Sequence, residues 1–151
     1  MGRVRTAAVM VTLLAAMSAC GADPKPVVMV DKPVTVTVPV PPPVRKARYI
    51  LLQLEQVTTP KTASATWNIF VELPAADEQT SVYLPNFAGY VTTLPNPAAP
   101  ANPPKGMTLQ LPDAAAALVR KHSEVRLTFV PAAKFAGDGV RIGAVHLEPI
   151  R

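Results

Sequence analysis

Residues 66–73 read Thr-Trp-Asn-Ile-Phe-Val-Glu-Leu, and large apolar side chains recur at every second position of this stretch. A period of two is that of a β-strand with one face turned to a core. We therefore expect the face formed by Trp67, Ile69 and Val71 to be buried. Phe70 belongs to the opposite face, where we expect it either to contact a partner or to pack under a loop.

Alternation of this kind recurs along the chain. In Glu124–Val130, apolar residues at 125, 127 and 129 alternate with Arg126 and Thr128. Short apolar runs bounded by Pro, Gly, Asn and Asp predict further strands over Tyr49–Gln56, Gly89–Leu94, Met107–Leu111 and Val140–Leu147, and a weak one at Tyr83–Leu84. In the last long run the apolar phase shifts by one residue at Gly143, which predicts a bulge or bend.

A single short helix is expected between the predicted strands. Residues 114–120 are rich in alanine and end on Arg120, and Asp113 is placed to cap them. Six or seven short strands with one short helix predict an all-β fold, mainly antiparallel, arranged as a β-sandwich or an open barrel. We assign this domain to residues 47–151.

The N-terminus has the features of an export signal. Arg3 and Arg5 precede an apolar run, Thr6–Ala16, that is too short to span a bilayer. Small residues then lead to Cys20, an arrangement that resembles the bacterial lipobox. The resemblance implies that the signal helix, residues 1–19, is removed and that Cys20 is acylated. The alternative is an ordinary signal whose cysteine is incidental.

Lipid on Cys20 would make the membrane itself a partner of this chain. In lipoproteins of Gram-negative bacteria, an aspartate after the cysteine tends to retain the protein at the inner membrane, and Gly21 stands there instead. The resemblance thus implies a cell-envelope protein. In a Gram-negative host it would be anchored in the outer membrane and would face the periplasm.

Proline dominates the segment that follows, with seven prolines in residues 24–43. Proline fixes φ and removes a backbone donor, so we expect an extended, polyproline-like tether over residues 20–46. Residues 34–38 nevertheless alternate Val and Thr. The alternative is therefore an edge strand added to the domain.

Composition and motifs argue against several classes of function. The formal charge of +5 falls when Arg3 and Arg5 leave with the signal, and we find no basic patch interleaved with aromatic residues, so nucleic acid is not an expected partner. The chain has one cysteine and two histidines, His122 and His146, at no recognisable metal spacing. We therefore predict no metal, no cofactor beyond covalent lipid on Cys20, and no catalytic residue.

Five segments, in order, resemble the C-terminal domain of plant polyphenol oxidases and related tyrosinases. Thr66–Val71 is similar to its Lys-Phe-Asp-Val-Phe/Tyr-Val pattern, and Phe87–Val91 to its Phe-x-Gly-x-Phe segment. Met107–Leu118 matches its strand and leucine-rich helix, Val125–Pro131 its Val-Thr-Leu-Val-Pro strand, and Val140–Gly143 its closing Val-x-Ile-Gly. The resemblance covers residues 48–148 and implies a β-sandwich that packs over a copper domain and shields its active-site entrance.

The chain also departs from that family. Thr66 and Asn68 replace a lysine and an aspartate, and Asn96 replaces a histidine. The copper domain, whose type-3 site takes six histidines in the family, has no counterpart in a chain with two. The resemblance therefore implies the fold and a covering role without oxidase activity.

Two functions remain open at this point. The leading one is a membrane-anchored, non-catalytic lipoprotein whose domain binds or shields a partner protein, possibly a separately encoded type-3 copper oxidase. We expect Phe70, Tyr90 and His146 to face that partner; His146 alternates with the apolar residues 145 and 147 and should be exposed. The alternative is a structural envelope lipoprotein whose β domain binds cell-wall or surface polymer.

Overall fold

A computed structural model of the protein describes residues 26–59, 64–94, 105–133 and 139–150. These residues form nine strands and two short helices. In chain order the elements are β1 (Val27–Met29), β2 (Val34–Pro39), α1 (Pro42–Lys46), β3 (Ile50–Val57), β4 (Ala65–Val71), β5 (Phe87–Thr93), β6 (Lys105–Gln110), α2 (Asp113–Arg120), β7 (Glu124–Pro131), β8 (Val140–Ile142) and β9 (Ala144–Pro149).

The strands pair antiparallel in two sheets and a ribbon. The larger sheet has the order β2-β7-β4-β5, the smaller sheet has the order β6-β3-β9, and β1 pairs with β8. A bridge between Thr58 and Arg141 joins the ribbon to the end of β3. The main core contains side chains from both sheets, so the predicted all-β sandwich is confirmed.

The alternation seen in the sequence gives the two central strands their buried face. Trp67, Ile69 and Val71 of β4 are fully buried, as are residues 125, 127 and 129 of β7. Thr128 is expected on the outer face beside Arg126, but it is buried as well. Its hydroxyl lies 3.0 Å from that of Thr35 on β2, so a neighbouring strand both covers and satisfies it.

The proline-rich segment is part of the fold, and the predicted tether is wrong over residues 26–46. Strand β2 pairs with β7 from Val34↔Phe129 to Pro39↔Glu124, which is the edge-strand alternative. Val38, Val40 and Val44 are buried in the core. Proline is tolerated here because it falls at strand ends and on an edge strand, where a missing N–H costs little. The signal, Cys20 and the rest of the predicted tether lie outside the described residues.

Helix α2 confirms the single helix expected from the sequence, with one difference at its start. Pro112 occupies the N-cap position and Asp113 is the first helical residue, with no side-chain cap hydrogen bond. The carboxylate of Asp113 still lies in the first turn, where it complements the helix dipole. At the other end, Arg120 Nε donates to Ala47 O at 2.9 Å, which ties α2 to the segment before β3. Helix α1 was not predicted.

The predicted irregularity at Gly143 is confirmed as the break between β8 and β9. Gln56 on the neighbouring strand has a φ of 50°, and the pairing of β3 shifts between Leu54 and Val57. Gly143 N donates to Glu55 O at 2.9 Å. Because of this double irregularity, β9 pairs with β3 along most of its length while β8 turns toward β1.

Candidate functional site

Residues 72–86, which we call the covering loop, connect β4 to β5 and pack over the outer face of the larger sheet. Beneath the loop is a second apolar cluster of Phe70, Ala76 and Val130, with Leu73 and Phe87 against it. The rings of Phe70 and Phe87 are 5.6 Å apart and tilted by 57°, a favourable aromatic arrangement. A loop of this length with a core of its own is held in a defined conformation.

Phe70 is therefore a packing residue, and its predicted role as a partner-facing residue is wrong. Its side chain is 0% exposed. The other possibility given for it, packing under a loop, is what the structure shows. Sequence period places Phe70 on the outer face of β4 correctly, but it carries no information about what covers that face.

One end of the covering loop is fixed by Glu72 and Arg126. Arg126 N donates to Glu72 Oε1 at 2.6 Å, Arg126 Nη2 donates to Oε2 at 2.8 Å, and Glu72 N donates to Arg126 O at 2.8 Å. Partial burial alone would raise the pKa of the Glu72 carboxyl, but these hydrogen bonds and the Arg126 charge outweigh it and lower the pKa. Glu72 has a φ of 53°, so the clamp holds the backbone in an uncommon conformation.

Hydrogen bonds also fix the middle and the far end of the loop. Asp77 Oδ1 accepts from Gln79 N at 3.0 Å and from the Thr80 hydroxyl at 2.9 Å, which closes a local turn. Asn86 Nδ2 donates to Val71 O at 2.8 Å, and Val71 N donates back to Asn86 O at 2.8 Å. The stretch between these two anchors is thus presented on a rigid base.

That stretch carries Val82, Tyr83 and Leu84, which we call the apolar tip. The side chain of Tyr83 is 94% exposed, and its two neighbours are also exposed. The weak strand predicted at Tyr83–Leu84 is wrong, since these residues lie in turns stabilised by Ser81, whose Oγ accepts from Tyr83 N at 3.2 Å. Adjacent exposed apolar residues on an ordered loop are typical of a protein-binding surface.

The sequence reasoning missed the apolar tip because a run of three apolar residues suggests a strand. The signal that could have found it is the position of the run between Ser81 and Pro85, two turn-forming residues. An apolar run too short to cross a sheet, bounded closely on both sides by turn formers, has no room to alternate between a core face and a solvent face.

Tyr90 is exposed on the outer face of β5, opposite Asn68 of β4 in the pairing. Strand β5 is an edge strand of the larger sheet. Tyr90 and the apolar tip are thus carried by the same edge strand and the loop that leads into it. The expectation that Tyr90 faces a partner remains a prediction.

His146 lies on the outer face of the smaller sheet, far in sequence and on a different sheet from Tyr90. Its Nε2 is 3.3 Å from Glu148 Oε1 and 3.7 Å from Glu55 Oε1. Gln53, its cross-strand partner, accepts from the Thr108 hydroxyl at 2.6 Å. The fold therefore brings His146 into a row of polar side chains and does not bring it together with Tyr90. Its role toward a partner remains a prediction too.

Within residues 26–59, 64–94, 105–133 and 139–150, no group of three or more His, Cys, Asp and Glu side chains is placed to hold a metal ion. Across the same ranges, no helix is both long and apolar enough to cross a bilayer.

Comparison with known proteins gives a likeness in structure. No protein-family model matches the chain, and no curated protein matches its sequence. Recombinant latent aurone synthase, a polyphenol oxidase, is similar with a TM-score of 0.60 and 16% identity over 84% of this chain and 27% of that one. Latent apple tyrosinase is similar with a TM-score of 0.60 and 18% identity over 87% of this chain and 30% of that one.

These identities are low enough that the likeness concerns the fold alone, and the chain spans less than a third of the solved proteins it matches. Along the chain, the segments that resemble the oxidase family supply β4, β5, β6, α2, β7 and β8. The resemblance is thus confirmed at the level of architecture: this chain has a fold like that of the polyphenol oxidase C-terminal domain.

Proposed function

We propose that this protein is a membrane-anchored, non-catalytic lipoprotein that binds or shields a partner protein through the apolar tip of its covering loop. The observation that carries the proposal is Tyr83, 94% exposed on a loop fixed at both ends. An ordered loop that presents an aromatic residue loses little conformational entropy on binding, and tyrosine is enriched among residues that dominate binding energy.

The partner we propose is a separately encoded type-3 copper oxidase of the tyrosinase or catechol oxidase kind. The support is the fold likeness to two polyphenol oxidases that are described as latent, in which the matched region is less than a third of the chain. The proposal is that a covering domain acts here on an oxidase encoded as another chain.

Co-purification from native membranes tests the partner. The full-length protein carries a C-terminal affinity tag, and the copper content and diphenol oxidase activity of the eluate are measured. We expect a copper oxidase in the eluate of the parent protein. Tyr83→Ser should reduce its recovery about tenfold or more, because loss of an interface anchor costs upward of about 1.4 kcal/mol.

A matched control uses an exposed apolar residue outside the covering loop. Leu94 is 71% exposed at the far end of β5, so Leu94→Ser removes a comparable surface group. Recovery should be unchanged in this variant. An eluate without copper, or equal recovery with Tyr83→Ser and Leu94→Ser, would contradict the proposal.

Anchoring through Cys20 is tested separately. If Cys20 is acylated, Cys20→Ser should move the protein from the membrane fraction to the soluble fraction, because several acyl chains hold far more firmly than protein contacts alone. Metabolic labelling with a clickable fatty acid should mark the parent and not the variant. Equal membrane partitioning of the two proteins would remove the lipoprotein part of the proposal.

The alternative, binding of envelope polymer, is supported by the polar row on the smaller sheet. Thr108, Gln53, His146 and Glu148 present hydrogen-bonding groups across three strands. Pelleting of the protein with purified peptidoglycan distinguishes the two functions. Binding that is lost with Gln53→Leu and retained with Tyr83→Ser would favour the polymer over a protein partner.

A further inference from the structure

The outer face of the β1–β8 ribbon carries exposed apolar residues beside a guanidinium group. Val28 is 44% exposed and Val30 is 37% exposed, while Met29 between them is buried. Residues two apart in extended chain share a face, so Val28 and Val30 point the same way. Arg141 is the cross-strand partner of Val28, is exposed, and stands on the same face.

The length of chain between this ribbon and the proposed anchor is short. Residues 21–25 separate Cys20 from Pro26, the first described residue. Six residue steps span at most about 20 Å when fully extended. If Cys20 is acylated, as proposed above, the ribbon cannot be farther than this from the lipid surface.

A second group of exposed basic residues among the described ranges lies at the opposite end of β3. Arg45 and Lys46 are in α1, and Arg48 lies just before β3. Strand β3 runs from there toward Thr58, which bridges to Arg141 in the ribbon. At about 3.3 Å per residue, Tyr49 and Thr58 are about 30 Å apart. The ribbon end is therefore the end of the sandwich nearest to the anchor.

Acidic residues lie beside the outer face of the ribbon and mark its limit. Asp31 and Lys32, in the turn after β1, share a shallow cleft with Asp77 and Glu78 of the covering loop. A surface selected for anionic lipid would not carry these carboxylates beside it. The chemistry of the ribbon face, a single guanidinium beside valines, fits the phosphate of phospholipid headgroups, including zwitterionic ones.

We propose that the outer face of the β1–β8 ribbon rests on the membrane surface. Arg141 pairs with a headgroup phosphate, and Val28 and Val30 enter the interface between headgroups and acyl chains. Arginine suits this position because its apolar stem reaches past the valines while its planar head binds phosphate in a fork. The sandwich then stands on its ribbon end, with α1 and α2 directed away from the bilayer.

Depth-dependent fluorescence quenching tests this orientation. Cys20 is the chain's single cysteine, so the mature protein can be coupled through it to a maleimide-bearing lipid in phosphatidylcholine vesicles. Chemical coupling replaces acylation by the cell, so a negative result concerns the ribbon and not the lipoprotein assignment. Val28→Trp reports on the ribbon, and Tyr49→Trp is the matched reporter at the opposite end. The signal of buried Trp67, measured in the parent protein, is subtracted from both.

In vesicles of brominated phosphatidylcholine, the emission of Val28→Trp should fall on the order of twofold, because interfacial side chains reach about 5–10 Å into the bilayer boundary. Tyr49→Trp should be unaffected. Adding Arg141→Glu should restore the emission of Val28→Trp, whereas Arg48→Glu should not. The proposal would be overturned by any of three results: no quenching at residue 28, equal quenching at residues 28 and 49, or no effect of Arg141→Glu.

Discussion

At the scale of single residues, two positions show how side-chain identity shapes the backbone. A β-carbon added at Gly143 would lie 2.5 Å from Gln56 Oε1 and 2.9 Å from Gln56 Cβ. Gln56 in turn has a left-handed φ of 50° at the irregularity in β3. Residue 143 is therefore glycine for reasons of space, and the sequence-based expectation of a bend there has a steric cause.

Gly143→Ala should destabilise the protein by about 1–3 kcal/mol, because Gln56 Cβ belongs to the strand itself and cannot swing away. Gly106→Ala is the matched control. Nothing lies within 4 Å of the β-carbon it would add, so its effect should stay within about 0.5 kcal/mol. Urea denaturation measures both. In a Gln56→Gly background, Gly143→Ala should lower the free energy of unfolding by less than it does in the parent. An equal loss in both backgrounds would show that the contact with Gln56 is not responsible.

The pair formed by Glu72 and Arg126 should make stability depend on pH. The pKa of Glu72 is lowered in the folded protein, so the pair stabilises the fold fully above the unfolded-state pKa of about 4.3. That contribution is lost as the pH falls through the lower folded-state pKa. Glu72→Gln should therefore cost on the order of 1 kcal/mol at pH 7, a modest value because Arg126 is half-exposed.

The difference in unfolding free energy between the parent and Glu72→Gln should begin to narrow as the pH falls below the unfolded-state pKa of about 4.3. It should be smallest below the lowered folded-state pKa, where both side chains are uncharged. Denaturation curves at several pH values measure it. Glu78→Gln, an exposed acid of the same covering loop, should show little difference at any pH. A Glu72→Gln difference that stayed constant from pH 7 to pH 3 would exclude the carboxylate charge as its cause.

At the scale of elements, β2 is where pattern and proline content conflict. Its Val and Thr alternate as in a strand, while the prolines around it favour an extended rod. The alternation decides the outcome because β2 can form backbone hydrogen bonds with the edge of β7. This pairing turns the valine face of β2 toward the core. Val38 packs into the core, and Thr37 faces outward opposite Arg126.

A pair of aspartate substitutions tests this placement. Val38→Asp buries a charge without a partner and should destabilise the protein by about 3 kcal/mol or more. Thr37→Asp places the same charge on the opposite face, next to Arg126, and should change stability by less than about 0.5 kcal/mol. Thermal denaturation of both variants is sufficient. If residues 34–38 were a free tether, both variants would have the same melting temperature as the parent.

At the scale of the whole molecule, the N-terminal segment closes one side of the sandwich. Strand β1 extends the ribbon beside β3, and β2 then crosses to the edge of the larger sheet. The segment contributes four buried apolar side chains from outside the range of residues 47–151 first assigned to the domain. These are Met29, Val38, Val40 and Val44. The folding unit therefore includes residues 26–46.

Truncation distinguishes the two boundaries. A chain that begins at Pro26 should unfold in one cooperative transition, because the described core is then complete. A chain that begins at Ala47 should lose that transition, since β7 then lacks β2, one of its two neighbouring strands, and four core side chains are missing. Circular dichroism with urea titration measures both. Cooperative unfolding of the shorter chain at a similar urea midpoint would contradict this prediction, because it would show that the domain folds without residues 26–46.

Local sequence patterns were sufficient to predict the fold class and most of the strands. Period-two alternation in β4 and β7 fixes their buried faces, and the alanine-rich run after Asp113 fixes α2, because these are local properties of the chain. The phase shift at Gly143 predicted the break between β8 and β9, because the phase of an apolar pattern is also a local property of the chain. The order of segments similar to the oxidase family pointed to the architecture that structural comparison confirms.

Long-range contacts in the fold determine what covers each face of a strand. The burial of Phe70 and Thr128 depends on the covering loop and on β2, which approach from distant parts of the sequence. The exposure of Tyr83 depends on anchors at Glu72 and Asn86 that bond to other strands. A sequence pattern records which way a side chain points from its own backbone, whereas burial and exposure are set by what long-range contacts place opposite it.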